Sequence, residues 1–140
     1  MKAQIIVNAA LKFFPIVLFF TSGFSHIVSD EQSVYIFTQL GWEPFGRYLV
    51  GFLEVVAGFL MILPGRSLEA GIFGSILALG MIVVHWLVLG TEIQGDDSYR
   101  FSLALILLVA CLGLVIVHRQ EIKGLPRKLA ALRWRDIKMP

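Results

Sequence analysis

The sequence predicts an all-α protein, a four-helix transmembrane bundle, and three observations carry this. Of its 140 residues, 57% are hydrophobic and only 16% are charged, a balance that a domain with a solvated surface does not carry. Four stretches are apolar for long enough to cross a bilayer core, which takes about 20 helical residues. The charged residues gather between those stretches and after the last of them.

The first span is expected over about 13–28, with an earlier start at Ile5 if Lys12 snorkels to the headgroups. Lys2 and Lys12 precede this run as in a signal peptide, but no A-x-A-like site follows, so a retained helix is expected. The second span, about 46–63, stops at Pro64-Gly65, a pair that ends helices. The third covers about 68–89 and the fourth about 101–117. Between the first two spans, Val34, Ile36, Phe37, Leu40 and Trp42 alternate loosely with polar residues, which suits a short element lying in the interface. Residues 1–118 thus form the transmembrane domain. Residues 119–140 read as a basic amphipathic tail.

Charge orients the bundle. Seven of the 12 Lys and Arg follow the fourth span, whereas Asp30, Glu31, Glu43, Glu92, Asp96 and Asp97 crowd two loops. The positive-inside rule then places the protein in the cell membrane with both termini cytoplasmic. Tyr35, Trp42, Tyr48, Trp86 and Tyr99 fall at the outer ends of spans, where an aromatic belt is expected.

Three ionisable residues, His26, Glu54 and His85, lie inside the apolar spans. A group of that kind at membrane depth is a functional-site hypothesis by default. Small residues share their faces: Arg47, Gly51, Glu54 and Gly58 recur at helical spacing on the second span, Gly71, Ser75, Ala78, Ile82 and His85 on the third, and Ser22, Gly23 and His26 on the first. Small residues let membrane helices approach closely. The three ionisable groups are therefore expected inside the bundle, in its outer half.

The runs "TSGFSHI", "GRYLVGFLEVVAGFLMILPG" and "HWLVLGTEIQGDDSYRFSLALILL" resemble the DoxX-like family of small membrane proteins, over about Leu11 to Val117. The resemblance implies a four-helix bundle. It also implies the membrane redox or quinone-linked associations of some relatives.

A quinone head group needs donors to its carbonyls and a proton source, which a His with a nearby carboxylate can supply. In that reading His85 is donor and proton carrier and Glu54 its partner, with His26 and Arg100 at the mouth and Ser22 and Arg47 in support. A plainer alternative has Glu54 and His85 bonded to each other and to Ser22 or Ser25 as packing glue. Haem between His26 and His85, or a metal on His26, Glu54 and His85, is the sharper variant, but neither has a local signature such as H-E-x-x-H. A proton-coupled carrier using Glu54, and an accessory subunit with protein partners or a homo-oligomer, complete the function classes. The lone Cys111 excludes an internal disulfide. No phosphate loop or nucleophile triad is present, and the basic balance comes from the tail, so nothing points to nucleic acid.

Overall fold

A computed structural model describes residues 2–120, with side-chain surroundings from residue 6 onward. The described chain is helical throughout its regular structure: α1 Lys2–Ile27, α2 Glu31–Gln39, α3 Phe45–Ile62, α4 Ser67–Val84 and α5 Tyr99–His118. Four helices are long and apolar enough to cross a membrane, and the third of these spans runs on through a π-helical turn, His85–Leu89. The basic tail lies outside the described residues beyond Gln120.

The four long helices close a ring in which α1 packs on α3, α3 on α4, α4 on α5 and α5 on α1. Their outward faces are apolar, as at Phe13, Phe52, Leu79 and Val109. Such faces suit contact with lipid.

Two features differ from what hydropathy indicates. The first helix begins at Lys2 rather than near residue 13, because Gln4, Asn8 and Lys12 lower the apolar signal without breaking the helix. The element between the first two spans is a 9-residue helix. It buries Ser33, Ile36 and Phe37 on one side, a helical spacing that loose alternation concealed. Ser29 (φ 65°) and Gly41 (φ 69°) adopt left-handed conformations on either side of it.

The core is divided. Towards the α3–α4 turn, Phe19, Ala57, Met61, Ala70, Ala78, Leu107, Cys111 and Leu114 pack solidly. At the opposite end, here called the α2 end, Ile36, Phe37 and Ile93 form a second cluster. α5 starts on Asp96, whose Oδ1 accepts from the Ile93 and Ser98 amides at 3.0 and 3.1 Å and whose Oδ2 accepts from Arg100 N at 3.3 Å. That satisfies amides which the helix start would otherwise leave without partners.

Candidate functional site: a buried polar chain beside an apolar cavity

The contact of α1 with α3 is set by two glycines. A Cβ on Gly23 would stand 2.8 Å from the Gly51 carbonyl oxygen, and one on Gly51 would stand 2.9 Å from that of Gly23. Only hydrogen fits at either position, so the backbones nearly touch. α1 and α3 run in opposite directions, so the three-residue steps from Gly23 to His26 and from Gly51 to Glu54 set each ionisable residue against the other helix's glycine: His26 Cβ lies 2.9 Å from where a Gly51 Cβ would stand, and Glu54 Cβ 3.2 Å from that of Gly23.

That geometry brings them together. His26 Nε2 lies 3.5 Å from Glu54 Oε2, an ion-pair distance rather than a hydrogen bond, since Oε2 has no hydrogen-bond partner among the described residues. Ser22 donates its hydroxyl to Glu54 Oε1 at 3.0 Å. On the other side of the imidazole, His26 Nδ1 is 2.9 Å from Ser33 Oγ of α2. The result is a continuous polar chain, Ser33–His26–Glu54–Ser22, across three helices. Glu54 is 0% exposed. A net charge there is costly, and the pair escapes that cost in either arrangement of its proton, as imidazolium with carboxylate or as neutral imidazole with carboxylic acid.

Arg47 braces the chain from behind. Its Nε donates to both oxygens of Glu43 at 2.9 Å, its Nη1 donates to the His26 carbonyl, and its guanidinium lies 4.3 Å from the Tyr48 ring centroid. The start of α3 is thereby fastened to the last turn of α1.

Between the two core clusters lies a cavity of about 710 Å³, walled by α1, α2, α4 and α5. Ligand cavities commonly measure about 300–1,000 Å³. Most of the wall is apolar, including Leu77, Met81, Leu103 and Leu107, and its polar members include Ser22, Ser25, His26, His85 and Arg100. Gly80 also lines it, and a Cβ built there meets nothing within 4 Å.

The expected residues divide as follows. Ser22, His26, His85 and Arg100 share the cavity wall, whereas Glu54 lies behind Ser22 and His26, and Arg47 is not part of the lining. The partner of Glu54 is His26. His85 is bonded instead within its own helix, with Nδ1 2.9 Å from the Met81 carbonyl, so the Glu54–His85 hydrogen bond expected in the packing alternative does not form. Among the described residues, no three His, Cys, Asp or Glu side chains converge as a metal-binding group. The arrangement therefore does not favour the two-His, one-carboxylate set. Arg100 reaches across to α2, donating from Nε to Gln32 Oε1 at 2.8 Å and from Nη2 to the same oxygen and, at 3.4 Å, to Asp30.

Ser33 and Gln32 were not legible as site residues. Ser33 is wholly buried, and its only sequence signal is its place on the face of α2 that also carries Ile36 and Phe37.

Neither a family model nor a curated protein nor a solved structure matches this chain. The site therefore stands on its geometry.

Proposed function

We propose that this is a DoxX-like membrane protein that binds a small, flat, lipophilic compound of the quinone type, seated between α1, α4 and α5 beneath α2. The observation that carries this reading is the cavity of about 710 Å³, apolar over most of its wall, with a few polar groups at its α2 end. Pockets for small organic ligands share that composition, the polar minority fixing orientation. Arg100 supplies hydrogen-bond donors, and Ser22 and His26 belong both to the cavity wall and to the chain through Glu54. A proton can thus pass between the ligand and the buried pair without Glu54 meeting the ligand.

The position of Glu54 behind the wall favours this reading over a carrier in which the carboxylate itself holds a transported cation. In this proposal the protein lies in the cytoplasmic membrane with both termini inside, and the α2 end of the cavity faces outward.

The test is an inventory of lipophilic compounds retained after extraction in native lipid, by mass spectrometry and absorbance. Wild-type protein should be enriched in quinone, and His85→Ala and Glu54→Gln should reduce the enrichment. If no quinone exceeds its level in the surrounding lipid, the reading fails.

A further inference from the structure

α3 and α4 belong to different tightly packed pairs. α3 is pressed against α1 at Gly23 and Gly51, and again where Gly58 meets the Phe20 ring, whereas α4 is pressed against α5 where Gly71 meets the Cys111 carbonyl oxygen. Towards the α3–α4 turn the two helices still touch, since Met61 reaches Gly74. Towards the α2 end a seam separates them. From α3 the cavity wall takes Val50, and on the facing edge of α4 it takes Ile76 and Gly80. Ile76 is 62% exposed and Gly80 is exposed as well, so both belong at once to the cavity wall and to the outward surface of the bundle. A Cβ built on Gly80 would meet nothing within 4 Å. The cavity reaches the outside of the bundle there.

The seam opens at the depth of the acyl chains. Within the third span, Ser67–Leu89, Gly80 stands nine residues and Ile76 thirteen residues from Leu89, about 14 and about 20 Å along the helix in a hydrocarbon core about 30 Å thick. Gln32, Asp96 and Arg100 make the wall polar at the α2 end instead. The cavity is thus polar at one end and opens sideways into lipid further down. That shape fits an amphiphile, its head held under α2 and its tail free to leave.

We propose that the bound compound is a membrane-borne quinone with a long apolar tail, and that the tail leaves the bundle sideways between α3 and α4, past Gly80 and Ile76, into the surrounding acyl chains. Along that path the tail keeps apolar contact throughout, first with the wall, then with the edges of the seam, then with lipid. Exchange with the lipid pool needs no passage through water. This rests on the quinone-type reading of the cavity and narrows it to the tailed, membrane-borne members of that class.

The test uses the full chain in lipid nanodiscs and a quinone probe whose isoprenoid tail carries a photoreactive diazirine on its second unit. After irradiation, attachment sites are mapped by mass spectrometry with and without an excess of the same quinone lacking the diazirine, and retention of that quinone is measured alongside. Labelling of Val50, Ile76 and the segment around Gly80 is expected, and an excess of about tenfold of the competitor should lower it about tenfold. Labelling by probe merely dissolved in the bilayer does not respond to the competitor. Competed labelling at Thr21 and Leu103, on the α1–α5 side of the wall, or confined to the interior at Leu107, overturns the exit between α3 and α4 and leaves the quinone-type reading standing. Retention of the quinone with no competed label on the chain does the same. Absence of retained quinone overturns both.

Discussion

Nε2 of His26 stands 3.5 Å from Oε2 of Glu54, across the tightest helix crossing in the site. The two groups come from helices joined only through α2 and its flanking turns, and each is the other's nearest opposite charge. Removing one leaves the other buried with a serine hydroxyl in place of its charged neighbour. His26→Leu should therefore destabilise the protein more than the double change His26→Leu/Glu54→Leu, with a coupling of about 1–3 kcal/mol. Reversible unfolding of the four-member mutant cycle in mixed micelles measures it. Additive single effects would mean that the two side chains do not interact.

The crossing itself makes a sharper steric prediction. Gly23→Ala and Gly51→Ala each place a methyl group within 2.9 Å of a backbone oxygen that cannot move aside, and overpacking of this kind costs about 1–3 kcal/mol. Gly80→Ala meets open space and should shift stability by no more than about 0.5 kcal/mol. Thermal unfolding of the three variants in one detergent compares them directly.

Gly80 also allows the cavity to be closed without disturbing the helices. Gly80→Trp should retain wild-type stability while abolishing retention of any ligand that copurifies with the protein. Undiminished retention would place that ligand elsewhere on the molecule.

Asp96 accepts three backbone amides at the start of α5. Asp96→Ala should cost about 0.5–2 kcal/mol. Amide exchange should accelerate in residues 93–102 and stay unchanged at the α3–α4 turn. Uniform acceleration along the chain would show that Asp96 supports the whole bundle rather than one helix start.

Topology is open to chemical labelling, because the native thiol, Cys111, is 0% exposed and contributes little background. Asp97→Cys should react with a membrane-impermeant maleimide on intact cells. Arg66→Cys, in the turn between α3 and α4, should react only after permeabilisation. The reverse pattern would invert the proposed orientation.

The spans were legible because lipid imposes one requirement, a long apolar helix, that hydropathy reports directly. The second span, expected over 46–63, is Phe45–Ile62, and the fourth, expected over 101–117, is Tyr99–His118. The site was legible in membership more than in pairing. Counting residues along each helix gives depth, and depth puts Glu54 level with His85. Which helices are neighbours decides the rest, and α1 lies against α3. A signal for this was present: Gly23 precedes His26 by three residues, and Gly51 precedes Glu54 by three. Where two antiparallel helices meet at such glycines, each three-residue step leads to the partner helix's glycine, and the two ionisable side chains sit side by side across the contact. The role of Ser33 had no such signal, since it depends on α2 folding back over the end of α1.

The lengths of α1 and α3 are unequal, 26 residues against 18, or about 39 Å against about 27 Å along their axes. Arg47 fastens the start of α3 to the final turn of α1, so the two helices are flush at that end and the excess of about 12 Å projects at the other. Asn8, within the projecting part, accepts at Oδ1 from His118 Nε2 at the end of α5, at 3.0 Å, which holds the overhang against the bundle. The shortest span fits a thin hydrocarbon layer without tilting. A thicker one is accommodated by lipid climbing the α1 overhang. Adjustment to bilayer thickness is then expected at the end remote from the cavity, so that the cavity wall should keep its shape in membranes of different composition.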